Sequence, residues 1–349
     1  MENYVIIVTW NAWKDTIECL ESVLRMTDVP FRVVVCDNGS DDGSLDYIRK
    51  WAAGALPAPC ANPSLQSVTS PPVSKPVPHR EFSREEVDHG VSVAAEQLII
   101  IRVGADLMYA GGNNVGLRYA LQDPHARYFW ILNNDTVVDP KALAAMVESM
   151  RLQPSMGMCG SMHLAYYNPT EVQVQGGRRY SRWTGRVISI SSSIDQLPPP
   201  DDRMDYIHGA SVLVSRAFVE EVGLIDESYY IYFEELDWAE RARGKFTLGY
   251  ASQSVIYHKE GATLGTNFNR KKRSLTSETY SAKNRVVFAR RYCPWTLPTV
   301  ILTVFAIALH RCCTGNLQHG KAILAWGCKG LLAGNMPKQI PAAAVGRST

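Results

Sequence analysis

From residue 4 onward, short β-branched runs and helix-period stretches take turns. "YVIIVTW" (4–10), "FRVVVCD" (31–37), "LIIIRV" (98–103) and "RYFWIL" (127–132) are rich in Val, Ile and aromatic residues. Interleaved with them are "DTIECLESVLRM" (15–26), "GSLDYIRKWA" (43–52), "NNVGLRYALQ" (113–122) and "PKALAAMVESM" (140–150), whose apolar positions recur every three to four residues. Alternating β and α units predict an α/β fold: a Rossmann-like, mostly parallel sheet with helices on both faces. In such sheets ligands bind beyond the carboxyl ends of the strands. Polar and glycine residues gather at those ends, at 9–11, 37–40, 110–114 and 133–135.

With 349 residues the chain exceeds a usual single domain, so one large domain (1–265) with a C-terminal basic and apolar helical region (266–349) is expected. Residues 54–97 are rich in Pro and Ser without periodicity and predict a long surface insertion. A net charge of +2 offers nothing for nucleic acid to recognise; basic character is local, at "RKKR" (270–273). Eight cysteines without CxxC or zinc-type spacing suit a reduced cytosolic thiol set, and the adjacent Cys312 and Cys313 are a weak lipidation signal. "MENYVIIVTWN" lacks the charged n-region of a signal peptide, so a cytoplasmic location is expected. "WTLPTVILTVFAIALHR" (295–311) has about thirteen uncharged residues, short of the roughly twenty that span a bilayer. It reads either as a packing helix or as an interfacial helix on the inner leaflet, with Arg290, Arg291 and Arg311 helping. The last residues, "NMPKQIPAAAVGRST", are expected to fray.

Four stretches at strand ends carry chemistry. Asp37 follows a buried strand and can accept hydrogen bonds from a nucleobase imide or a ribose, although Asp-Asn-Gly is also strong turn chemistry. In "YAGGNNVGLRYA" (109–120) the glycines at 111, 112 and 116 miss the GxGxxG dinucleotide pattern, yet Gly111 and Gly112 permit close backbone approach and Asn113 or Asn114 can cap a following helix. "LNNDT" (132–136) ends an apolar run on amides and an acid, which suits a hard divalent cation such as Mg²⁺ or Mn²⁺, or a solvent-facing turn. "YYIYFEELDWAER" (229–241) sets three acids among aromatic rings, where desolvation raises a carboxyl pKa toward general-base work; the same acids also answer a helix dipole. His258 ends a later strand, and "GATLGTNFNRKKR" (261–273) has the Gly-bearing, basic character of a loop that closes over phosphate.

Taken in order, VTWN, CDNGSDDGS, AGGNNVGLRYA, LNNDT, GASVLVSR and YFEELDWAER resemble family 2 glycosyltransferases, in the bacterial rhamnosyltransferase-like branch. The likeness runs over roughly 4–260, with weaker similarity at "YSAKNR" (280–285) and "KGLLAG" (329–334). It implies a GT-A fold, a nucleotide-sugar donor, a divalent metal and inversion at the anomeric carbon. By this resemblance Thr9, Asn11 and Asp37 meet the nucleoside, while Gly112, Asn113, Asn114 and Asn134 line the donor pocket. Lys283, Asn284 and Arg285 reach the diphosphate. Asp135 is the metal ligand of an Asp-x-Asp motif whose first acid is Asn133 here, and His258 completes the coordination. Glu235 is the catalytic base, a position often Asp in relatives; Glu234, Asp237 and Trp238 are acceptor or orienting residues, with Asp237 orienting its neighbours or the acceptor. The branch implies dTDP-rhamnose as donor, although Asp37 would meet the imide of thymine or uracil, hence a dTDP- or UDP-sugar, about equally. The apolar C-terminal segment points to a glycan or lipid-linked glycan acceptor in cell-envelope polysaccharide synthesis and to peripheral membrane contact.

Other classes fit less well. A silent nucleotide-sugar or glycan-binding module would show no turnover. A sugar nucleotidyltransferase wants a Gly-rich basic loop after the first strand, which "TWNAWKD" lacks. The failed fingerprint disfavours an NAD oxidoreductase, and a glycosidase has no use for a nucleotide-like pocket.

Overall fold

The computed structural model describes residues 2–190, 204–259 and 274–333. The predicted alternation is present as β1 (Glu2–Thr9), α1 (Trp13–Val23), β2 (Phe31–Asp37), α2 (Ser44–Ala52), α3 (Gln66–Thr69), β3 (His79–Ser83), α4 (Arg84–His89), β4 (Leu98–Arg102), α5 (Met108–Leu121), β5 (Ala126–Asn133), β6 (Thr136–Val138) and α6 (Ala142–Leu152). Beyond it come β7 (Met156–Ala165), β8 (Asn168–Gln175), β9 (Gly177–Ser181), β10 (Arg186–Ile188), β11 (Tyr206–Ile207), β12 (Ser211–Ser215), α7 (Arg216–Val222), α8 (Glu234–Ala242) and β13 (Thr247–His258). Three long helices follow: α9 (Leu275–Tyr292), α10 (Leu297–Cys313) and α11 (Leu317–Leu332).

The main sheet runs β3-β4-β2-β1-β5-β12-β7-β13-β6, with β8 paired to β7. Strands β3, β4, β2, β1 and β5 are mutually parallel. Strand β12 is antiparallel to both β5 and β7, so the second half of the sheet is mixed. Because side chains alternate across a strand, Val5 and Ile7 join one buried cluster with α1, α2 and α6, while Ile6 joins the other with α5 and α8. Helix α5 lies close to β1 because Gly112 and Gly116, four apart, share one face; a Cβ on Gly112 would come within 2.8 Å of Val8.

Two stretches carry more order than composition suggested. Within 54–97, Leu65 and Val68 are buried and β3 pairs in parallel with the edge of β4. A reciprocal Ser83–Glu86 capping box then starts α4. Residues 247–258 form one strand whose register against β7 shifts between Ala251 and Val255, and His258 ends it as expected. The phosphate-closing loop (261–273) with "RKKR", and the tail from 334, lie outside the described residues.

Candidate active site

The parallel pairing fixes the first part of the site. Thr9 faces Asp37 across β1 and β2, and Val8 faces Asn133 across β1 and β5. Neighbouring strands lie about 4.8 Å apart, so Asp37 and Asn133 end two strands on the order of 10 Å from each other. Asp37 is buried, and its Oδ1 has no hydrogen-bond partner. Burial raises its pKa, against the hydrogen bonds of Ser40. An orphaned buried carboxylate oxygen is costly, and it marks where a donor group from a ligand would be accepted. Asn38, beside it, gives its amide to Asp106 Oδ1 (2.9 Å) and accepts from Leu107 N (3.2 Å), which holds the start of α5 against the end of β2.

At the end of β5 the chain turns, and Asp135 Oδ1 stands 3.3 Å from His258 Nε2. Their strands make this contact, since His258 pairs with Thr136 across β13 and β6. Both groups are buried, and the alignment leaves Asp135 Oδ1 without a hydrogen bond. Burial pushes Asp135 up, but the charge and polar contact of His258, backbone N–H donation and the Lys259 charge together hold the carboxyl below its usual range. Two further imidazoles share the spot: ring centroids are 5.1 Å apart for His163–His208, 6.2 Å for His163–His258 and 6.3 Å for His208–His258. Burial holds both His163 and His208 well below the ordinary histidine range, hence neutral. Among the described residues no group of three His, Cys, Asp or Glu side chains is arranged to hold a metal ion unaided.

The acid cluster starts α8, where unpaired helix N–H groups favour negative charge. Tyr230, Tyr232 and Phe233, just before it, have φ of 69°, 65° and 76°. Bulky residues rarely adopt such values, and this strain fixes how Glu234 and Glu235 emerge. Gly209 packs against Glu235 so closely that a Cβ there would overlap its carboxylate. Burial raises both pKa values. Backbone N–H donation including that of Gly209, and the Arg178 charge, favour ionised Glu235. Glu234 is pushed further up, by burial first and then by Glu235. Both carboxyls of this adjacent pair are thus held above the ordinary carboxylate range, by burial first.

Residues 208–210 connect these parts. His208 joins the imidazole cluster, Gly209 meets Glu235 and accepts a 2.6 Å hydrogen bond from Tyr109 Oη, and Ala210 O accepts from Asn133 N at 3.0 Å. Sequence reasoning left His163, His208, Gly209, Tyr109 and Asn38 out of the site. The quoted "GASVLVSR" began one residue too late to include His208, and no local spacing marks His163.

Other expected site residues are engaged structurally. Helix α5 begins at Met108, so Asn113 and Asn114 lie inside it rather than capping it. Asn113 donates back to Tyr109 O, and Asn114 is bonded to Ile225 in both directions and to Glu227. Gly112 serves helix-on-strand packing. Asn11 (φ 50°) bridges Asp41 and Asp42 and shapes the 38–43 turn, Thr9 bonds Thr16, and Asn134 donates to Thr16 at 3.0 Å. Asn284 gives its amide to the carbonyls of Tyr229 (2.7 Å), Ile231 (2.8 Å) and Tyr232 (3.0 Å), so it ties down the strained loop. Asp237 is fully buried between Arg241 (2.8 Å), Arg291 (3.0 Å) and Tyr292 (2.6 Å), and Trp238 Nε1 donates to Gly223 O. Both brace α8, which for Asp237 is the orienting of neighbours, one of the two roles expected of it. Lys283 lies over Tyr280 and near Lys329 of α11, and Arg285 packs on Gly185 in the β9–β10 turn.

The family model described as Glycosyl transferase family 2 matches residues 4–60. Over 145 residues the chain is 23% identical to a "low-salt glycan biosynthesis hexosyltransferase Agl10" of Haloferax volcanii, covering 40% of this chain and 44% of that protein. The chain thus spans less than half the length of that curated relative. Its structure is similar to a mannosyltransferase from Pyrobaculum calidifontis solved with GDP-Man and Mn²⁺ (TM-score 0.51, 16% identity, 94% of this chain and 86% of that one). A second similar structure is GalNAc-T7 with UDP, GalNAc and Mn²⁺ (TM-score 0.50, 13% identity, 82% and 47%). The fold is the GT-A fold.

Proposed function

We propose that the protein is an inverting glycosyltransferase that moves a sugar from a nucleoside-diphosphate donor to a hydroxyl of a glycan or lipid-linked glycan. The observation that carries this reading is the junction at 208–210, where Gly209 packs on the buried carboxyl of Glu235 and His208 lies 6.3 Å, ring to ring, from His258 of the Asp135–His258 pair. The family 2 match over the first strands and the nucleotide-sugar complexes of similar structures support it.

In this mechanism Glu235 takes the proton of the acceptor hydroxyl, whose oxygen forms a bond to the anomeric carbon. The bond from that carbon to the phosphate oxygen breaks opposite, and the nucleoside diphosphate leaves with the electron pair. Burial and the neighbouring Glu235 both disfavour a second negative charge on Glu234 beside the base. Asp37, with its unpaired oxygen, accepts from the imide of thymine or uracil or from a ribose hydroxyl. Asp135, whose Oδ1 is engaged only with His258 at 3.3 Å, and His258 itself are the residues that would hold Mg²⁺ or Mn²⁺ together with oxygens of the donor. Bound there, such an ion would supply Lewis-acid stabilisation of negative charge on the diphosphate. Rhamnose from dTDP-rhamnose and cell-envelope polysaccharide synthesis are the finer reading, supported by the branch the motifs resemble.

Glu235→Gln removes the base while keeping shape, and turnover of the accepted sugar nucleotide should fall by about 10²–10⁴-fold with donor affinity unchanged. A thermal-shift screen of dTDP-, UDP- and GDP-sugars with and without Mn²⁺ identifies that donor. Full turnover by the Gln variant would reject Glu235 as the base.

A further inference from the structure

We propose that the hairpin of α10 and α11 is a docking surface for an anionic lipid bilayer, which deepens the reading of a lipid-linked acceptor. Its two helices are built inside-out for a water-soluble fold. Helix α10 turns Val300, Val304 and Ala308 inward, while Leu302 (65% exposed), Phe305 (53%) and Leu309 (53%) face out. Only 28% of the apolar stretch Pro294–Cys313 is buried. A helix that is apolar on every side belongs in a core or in lipid. In α11 the inward residues include Gly320, Gly327 and Gly330, where a Cβ would come within 2.8 Å of Ala308 O, 2.9 Å of Val304 and 2.7 Å of Lys283 O respectively. Leu317, Leu324 and Leu331, seven residues apart, are exposed. Small residues thus close α11 onto α10 and, at Gly330, onto α9, while large apolar ones are presented outward.

Charge selects the occupant. No Asp or Glu follows Glu278 anywhere in the chain, whereas nine Lys and Arg do. Glu278 itself is buried against Arg311 and His319 at the hairpin turn. Lys321 and Lys329 are exposed on α11. The arginines expected to reach the lipid are engaged elsewhere: Arg311 with Glu278, Arg291 with Asp226 and Asp237, and Arg290 with the carbonyls of Leu331 and Ala333. An apolar face with cations and no anion matches an anionic bilayer surface, where each Lys adds about fivefold to binding. By length and composition the 20-residue stretch Pro294–Cys313 could cross a bilayer. It spends one face on α9 and α11, however, so it lies on the membrane instead of crossing it. A ring ladder, Trp326–Tyr280 (4.7 Å) and Tyr280–Tyr230 (4.5 Å), runs from α11 to the loop before Glu234 and brings the catalytic end near that surface.

The test is flotation of the full chain with phosphatidylglycerol-containing or pure phosphatidylcholine vesicles. The wild type should float with the anionic vesicles and be released by salt. Leu302→Gln/Phe305→Gln/Leu309→Gln, all on exposed positions, should lower partitioning by at least about tenfold, and Lys321→Glu/Lys329→Glu should abolish the preference for anionic lipid. Circular dichroism checks that the variants remain folded, and turnover on a water-soluble acceptor should persist in both. Docking lost with that turnover intact separates this proposal from the proposed transfer reaction. No flotation of the wild type, equal flotation of the triple variant, or a dimer in sedimentation that the triple variant dissolves without any vesicle binding would overturn the docking surface.

Discussion

Replacing Asn284 by alanine separates two roles that sequence alone cannot tell apart. Its amide carries two protons, shared among the carbonyls of Tyr229, Ile231 and Tyr232. Removing it forfeits roughly two hydrogen bonds at about 1 kcal/mol each and leaves buried carbonyls unpaired, for a total of about 2–4 kcal/mol. The same loop stores strain: Tyr230, Tyr232 and Phe233 sit at positive φ, on the order of 1–3 kcal/mol each. Without the tie the loop relaxes, and Glu235 shifts from its place beside Gly209. A displacement near 1 Å lowers a rate by about 10²-fold. Urea denaturation should therefore show lost stability, turnover should drop, and titration calorimetry should find the donor bound as tightly as before. An Asn284→Ala protein with wild-type stability and turnover capacity but weakened donor affinity would refute the loop-tie role and restore the diphosphate contact.

Glu234→Gln tests the shared proton. The folded pKa of Glu234 is raised, so the native state holds a proton that the unfolded chain releases above its ordinary value of about 4.3. Native stability then falls as pH rises through that window, and the Gln variant should melt higher than wild type at neutral pH, with the gain vanishing at acidic pH. Asp135→Ala should remove the metal-dependent part of donor binding; calorimetry with Mn²⁺ that shows unchanged affinity would exclude it as a ligand. Asp237→Ala strips a buried acid from Arg241, Arg291 and Tyr292 and should cost about 3–5 kcal/mol in denaturant melts. Wild-type stability coupled to altered acceptor preference would return Asp237 to the acceptor site.

The β/α alternation, the parallel half of the sheet and the gathering of polar residues at strand ends could be read directly, because period-2 and period-3.6 patterns are local and the burial they demand leaves one layered solution. For the same reason Asp37, Asp135 and Glu235 could be nominated: each follows an apolar run or starts a helix, positions defined by near neighbours in the chain. His163 could not. It lies inside a strand, and its place beside His258 depends on β7 and β13 pairing across some ninety residues. Asn113, Asn114, Asn284, Asp237 and Trp238 looked like ligands, since an amide, an acid or an indole is the same residue whether it meets a substrate or a backbone carbonyl. Only packing assigned them to bracing. The sequence by itself determined which faces must be buried and which polar groups end the strands. The tertiary structure decided which of those groups were left without a partner, because hydrogen bonds between residues distant in the chain are made only when the sheet closes.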